Sequence, residues 1–116
     1  MKLKQVYLTA ANPEAMARFY EALGLPVRFA DRGKWVQFAG ENAAFCIASP
    51  AESASAPSRN AALVFEVDDL AMALERARAQ GAVALGQVRD MGAHGRVAHF
   101  EDPEHNTIQL FQAAPK

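Results

Sequence analysis

HGRVAHFEDPEHNTIQLFQ, residues 94–112, is the stretch whose reading decides the fold. Two runs of alternating character, residues 96–100 and 107–111, flank a turn that carries Asp102-Pro103 and His105-Asn106. Pro fixes φ and removes an amide donor, and Asn tolerates left-handed backbone, so turn chemistry sits between two period-2 segments. The reading is a β-hairpin. One face of it is apolar through Ala98, Phe100, Ile108 and Leu110; the other carries His99 and Gln109 beside Val97 and Phe111. A mixed polar and apolar face is the composition of a ligand cavity wall.

Upstream of the hairpin, residues 61–67 alternate as a strand, Asp68-Asp69 caps a helix over residues 70–80, Gly81 ends it, and strand-like pieces follow at 83–88. The second half therefore reads β-α-β-β-β. The first half reads the same way. Residues 2–9 alternate, Asn12-Pro13-Glu14 supplies an N-cap, a proline at the first helical position and an acid in the first turn. A helix then runs to about residue 23, with Ala15, Met16, Phe19, Tyr20 and Leu23 as its buried stripe and Gly24 as its stop. Strands follow at residues 27–30, 34–39 and 43–48. Between the halves, SPAESASAPSRN at residues 49–60 is small, polar and proline-containing, so it reads as a linker without strong structure of its own.

Set side by side, Asn12 matches Asp69, Gly24 matches Gly81 and Cys46 matches Gln109. Independent features that recur in the same order indicate an internal repeat. The expected organisation is one domain over residues 1–116, built of module 1 (1–48), a linker (49–60) and module 2 (61–116). One helix covers one sheet face of each module, which leaves the other face for the second module, a partner chain or a ligand.

Composition narrows the partners. A hydrophobic content of 51% suffices for a packed core, and a net charge of −1 with mixed signs leaves no footprint for nucleic acid or an anionic membrane. The single Cys46 excludes an internal disulfide framework and a Cys-based zinc site. No apolar run reaches membrane-spanning length, and MKLKQVYLTA lacks a long apolar core and cleavage site, so a soluble, cytoplasmic protein is expected.

FYEALGLPVRF (19–29), FEVDDLAMALERARAQGA (65–82) and HFEDPEHNTIQLFQ (99–112) resemble the vicinal oxygen chelate superfamily, which includes glyoxalase I, extradiol dioxygenases and fosfomycin and bleomycin resistance proteins. The resemblance covers nearly the whole chain, and its closing DP-x-x-N-x-I-x-L pattern is the most specific part. It implies an α+β fold of two βαβββ modules whose curved mixed sheets enclose a cavity. It also implies that metal-using members carry ligands on the first and last strand of each module. Here those positions fall on Gln5, Cys46, Ala62 and Gln109. Divalent ions at oxygen sites want carboxylates and imidazoles, and none stands at these four. A neighbour one residue along points to the opposite face, and Glu66, which shares the face of Ala62, lies four residues further on.

Several side chains remain as candidates for a ligand site. His99 is the titratable group expected on the concave face, as a general base or acid, a hydrogen-bond donor, or a strand histidine satisfied by a neighbour. Trp35 and Gln37 share that face by phase, and Trp35 offers a flat apolar surface for a planar ligand or for core packing. Tyr7, Val64 and Phe111 complete an aromatic and aliphatic wall with Val97, and Gln5, Gln109 and Glu66 are its polar groups. Cys46 is a reactive thiol if a cation or imidazole activates it, and an inert buried residue otherwise. His94 lies in a glycine-flanked loop able to close over a cavity, and His105 serves the turn.

Three functional classes remain. The first is a metal-free small-molecule binding protein resembling the bleomycin resistance branch, with no cofactor and an aromatic ligand. The second is an enzyme, either a divalent-metal lyase or dioxygenase with an atypical site, or a metal-free catalyst using His99 with Glu66. The third is a non-catalytic accessory subunit. A homodimer is expected in each case.

Overall fold

The computed structural model describes residues 1–53 and 61–116 of the chain. It divides into two compact units, Met1–Ser58 and Arg59–Lys116. The division falls inside the expected linker, of which residues 54–60 lie outside the described residues. The earlier part of that linker departs from expectation, because it folds into a turn. The Ser49 carbonyl accepts from the amides of Glu52 and Ser53 at 3.1 and 3.0 Å, and the Thr9 hydroxyl donates to Ser53 Oγ at 2.8 Å.

In the first unit the order is β1 (Gln5–Thr9), α1 (Pro13–Ala22), β2 (Val27–Asp31), β3 (Trp35–Phe38) and β4 (Ala44–Ala48). In the second it is β5 (Leu63–Glu66), α2 (Leu70–Ala79), β6 (Val83–Asp90), β7 (Arg96–Glu101) and β8 (Thr107–Gln112), with a short 3-10 turn at Gly92–His94. Both are βαβββ modules, and their sheets are ordered alike: β1-β4-β3-β2 and β5-β8-β7-β6. Each pairs its first and last strands in parallel and the remaining neighbours antiparallel. The fold is α+β, as the alternation and the repeat anticipate.

The caps explain where the helices begin. Asn12 accepts from the Ala15 amide at 3.1 Å and Asp69 from the Met72 amide at 3.0 Å, each removing one of the unpaired donors at a helix start. Gln112, at the end of β8, adds a second restraint on α2: its Oε1 accepts from the Leu70 amide at 2.7 Å. The first helix ends one residue earlier than expected, with Leu23 as the C-cap and Gly24 just beyond it at φ 107°. Its buried face runs through Met16, Ala17, Phe19 and Tyr20, whereas Ala15 is exposed. Tyr20 packs edge-on against Phe38 and Phe45, whose own rings stack at 5.1 Å, so α1 covers the face of its sheet that carries alternate residues of β3 and β4. In the second unit Leu70 and Ala77 are buried together with Ala98, Phe100, Ile108 and Leu110 of the hairpin.

The strands depart from expectation mainly at the edges. Residues 83–88 are part of one longer strand through Asp90, with a register shift between Leu85 and Arg89, and β2 carries a similar irregularity between Val27 and Phe29. Both are edge strands, where bulges concentrate. Among the described residues no helix is long and apolar enough to cross a membrane.

Candidate functional site

Register fixes which side chains share the face that each helix leaves uncovered. In module 1, Tyr7 and Gln37 both pair with Cys46, while Thr9 and Trp35 both pair with Ala48 and Gln5 pairs with Ala44. Directly opposed residues point the same way, so Gln5, Tyr7, Thr9, Trp35, Gln37, Ala44, Cys46 and Ala48 lie on one face, opposite to Phe38 and Phe45. In module 2, Val64 and His99 both pair with Gln109, Val97 pairs with Phe111, and Glu66 also pairs with Phe111. The structure thus groups Gln5, Tyr7, Trp35, Gln37 and Cys46 on one sheet, and Val64, Glu66, Val97, His99, Gln109 and Phe111 on the other.

The side chains on the first face are tied by weak contacts. The Tyr7 and Trp35 rings meet with centroids 5.5 Å apart at an angle of 56°. Trp35 therefore already has a ring partner and is half-buried. Beneath lies Cys46, fully buried, whose thiol contacts Gln5 Oε1 at 4.0 Å. Burial pushes the Cys46 thiol up from its ordinary range, because the thiolate would lose its hydration. That is the environment of an inert thiol, not of an activated one.

On the second face His99 Nε2 lies 2.8 Å from Gln109 Oε1, so the Nε2–H form of the ring donates to the amide. A cross-strand partner at Nε2 orients the imidazole. Val64 and Glu66 are exposed, Val97 is buried, and Phe111 is half-buried. The backbone closes tightly on Phe111: a methyl on Gly95, where φ is 90°, would stand 2.5 Å from the Gln112 carbonyl oxygen and 2.8 Å from the Phe111 ring. His94 is exposed and sits in the 3-10 turn instead of a loose loop, with Asp90 accepting from the Gly92 amide at 2.8 Å.

His105 has φ 68°, the left-handed backbone that glycine would adopt most easily, and its Nδ1 lies 3.2 Å from Glu101 Oε2. The turn around it is organised by Asp102, which is 2% exposed. Its carboxylate accepts from the amides of Glu104 and Asn106 and twice from the Asn106 side chain, at 2.9 to 3.0 Å. Several residues on the helix-free faces were not singled out from sequence, Phe29 and Leu85 among them. Phe29 pairs with Gln37, and Leu85 pairs with His99. Their strands are bulged, so alternation could not assign their phase; only the ladder does.

The family model of the glyoxalase/bleomycin resistance protein/dioxygenase superfamily matches residues 2–110. The chain belongs to this superfamily. No curated protein matches this vicinal oxygen chelate chain in sequence. Among solved structures, it superposes on a glyoxalase/bleomycin resistance protein/dioxygenase family enzyme from Burkholderia phytofirmans PsJN with TM-score 0.83, covering 98% of this chain and 100% of that one at 17% identity. A glyoxalase-related enzyme from Fulvimarina pelagi gives TM-score 0.80 at 19% identity, over 97% of this chain and 88% of that one. Lactoylglutathione lyase from Agrobacterium tumefaciens gives 0.71 at 19% identity, over 94% and 91%. At these identities the likeness is one of fold.

Superfamily membership raises the question of a divalent metal, against which the donors of each module can be set. Module 1 offers a carboxamide at Gln5 and a neutral, buried thiol at Cys46; module 2 offers a methyl at Ala62 and, at Gln109, a carboxamide already accepting from His99. Among the described residues no three His, Cys, Asp or Glu side chains gather as a metal site would require. These groups do not fit a hard divalent ion, which takes carboxylates and imidazoles.

Proposed function

We propose that the chain is a small-molecule binding protein of the sequestering kind, acting without a catalytic metal. The observation that carries this reading is the chemistry at the four ligand positions of the superfamily: Gln5, Cys46, Ala62 and Gln109 hold no charge and little donor power. What the two helix-free faces retain is suited to recognition. Tyr7 with Trp35 supplies aromatic surface, Gln37, Gln5 and Gln109 supply neutral hydrogen-bonding groups, and His99 supplies an imidazole oriented by Gln109. Binding through such groups needs no chemical step, and loss of the metal ligands leaves it intact.

Metal analysis of purified protein, paired with thermal-shift titration of zinc, nickel and manganese, tests the reading. The expected result is no stoichiometric ion and no shift. One ion per chain with a rise in Tm that is lost in Gln5→Ala or Gln109→Ala would sink it. A thermal-shift screen over aromatic metabolites and antibiotics then finds the ligand. His99→Ala is expected to weaken that ligand's binding while Tm stays within about 4 °C, since a change of about 1 kcal/mol corresponds to a few degrees in a domain of this size. Collapse of the fold would make His99 a core residue.

A lyase is the second reading, favoured by the likeness to lactoylglutathione lyase from Agrobacterium tumefaciens. It requires a carboxylate where Gln109 stands. Turnover of a glutathione hemithioacetal by the chain, dependent on an added divalent ion, would establish it.

A further inference from the structure

The two helix-free faces differ in charge, and the difference points to the chemistry of the ligand. On module 1 the face built by register carries Gln5, Tyr7, Thr9, Gln37 and Trp35 around the small residues of β4, and among the described residues paired into it the one carboxylate is Asp31, at the outer end of β2. No Lys, Arg or His pairs into it; Arg28 stands in the β2 irregularity, outside the ladder. Gln37 is half-buried, and among the described residues neither its amide nor the Trp35 indole N–H has a hydrogen-bond partner. Gln5 has only the long thiol contact of Cys46, at 4.0 Å.

A half-buried carboxamide without a partner beside one held only by a distant thiol is a recognition surface of a definite kind. Each offers an acceptor and two donors in one plane, and the uncharged group that satisfies both at once is another amide, lactam or imide. A carboxylate, phosphate or phosphonate would also find donors there. It would give up its hydration with no cation to compensate, and a buried unpaired charge is costly. The Gln5 and Gln37 positions on β1 and β3 are two strand spacings apart across β4 and offset by two residues in register, about 12 Å, and the Gln5 carboxamide reaches toward Cys46, the ladder partner of Gln37. A fused-ring molecule with a carboxamide substituent spans such a distance while lying against the Tyr7–Trp35 pair.

We propose that the helix-free face of module 1 selects an uncharged, planar, amide-bearing ligand, read by Gln5, Gln37 and the Trp35 N–H, and discriminates against the corresponding anion. This rests on the reading of the chain as a binding protein and names the class it binds.

Isothermal titration of the full chain with matched probes tests it: nicotinamide against nicotinate, quinoline-2-carboxamide against quinoline-2-carboxylate, and indole-3-carboxamide against indole-3-carboxylate. The carboxamide of at least one pair is expected to bind at least about tenfold tighter than its acid, a factor that corresponds to about 1.4 kcal/mol. Gln37→Leu and Gln5→Leu should each weaken that carboxamide about fivefold, the loss of one neutral hydrogen bond. Should Gln37→Leu not fold, Gln37→Glu keeps the shape and is expected to abolish the preference. Acids that bind as well as amides, or amide affinity unchanged in both variants, overturn the proposal. If every probe is silent while some other compound of the wider screen binds, this inference fails and the binding reading stands. If the whole screen is silent, both fail.

Discussion

His99 shows how much a single side chain's role depends on its neighbour across the strand. Alternation places it on the helix-free face, but only the ladder brings Gln109 Oε1 within 2.8 Å of its Nε2. Sequence phase gives direction; register gives partners. The same distinction applies to Trp35, whose surface is partly taken by Tyr7, and to Cys46, whose burial no spacing rule supplies. Because burial favours the thiol over the thiolate, Cys46 links stability to pH. The unfolded chain ionises once pH passes the ordinary thiol value of about 8.5, while the folded chain does not, so its contribution is full below that pH and declines as pH rises above it. Urea denaturation is expected to show a loss between about pH 8 and 10 that Cys46→Ala lacks; identical profiles would show that the thiol does not titrate differently on folding. At Gly95 the backbone itself is the constraint. Gly95→Ala adds a methyl 2.5 Å from a carbonyl oxygen at a φ of 90°, and it is expected to lower stability by about 2–4 kcal/mol, read by chemical denaturation.

At the scale of elements, the helix starts were readable because a cap is a local device. Asn12-Pro13-Glu14 and Asp68-Asp69 carry it in adjacent residues, and the structure places both caps where the sequence does. Asn12→Ala and Asp69→Ala are each expected to cost about 1 kcal/mol. The double variant should give the sum within about 0.5 kcal/mol, because the caps lie on separate units with no shared partner; a larger deviation in urea midpoints would mean that the units are energetically coupled through these helices. The tie from Gln112 to the first amide of α2 was not readable, since its donor and acceptor are 42 residues apart. Edge-strand bulges escaped for a related reason. An extra residue in one strand leaves no mark in composition, and at β6 it hid Leu85, which the ladder sets opposite His99. His105 was anticipated in its turn, although the buried Asp102 that receives the turn's amides outranks it structurally.

For the molecule as a whole, the repeat carried the fold because it required agreement among caps, glycines and strands that no local preference enforces together. What it could not carry was the ligand: recognition depends on which polar groups are left without partners, a property of the packed structure alone. Assembly belongs to this scale too. A homodimer is the expected state, and sedimentation velocity at micromolar concentration should give twice the 12.5 kDa chain mass; a single-chain species would overturn that expectation.

Both modules keep one address system, in which Tyr7, Cys46 and Gln37 stand at the same ladder positions as Val64, Gln109 and His99. Such agreement is what duplication of an ancestral half-gene would leave behind after the letters themselves had diverged. Each pair of equivalent addresses is then a record of specialisation, in which one copy carries a carboxamide or an aromatic ring where the other carries an imidazole, a thiol or an aliphatic side chain. Exchanging residues between addresses, Gln37 with His99 first, turns the chain into its own control for asking which specialisation governs recognition.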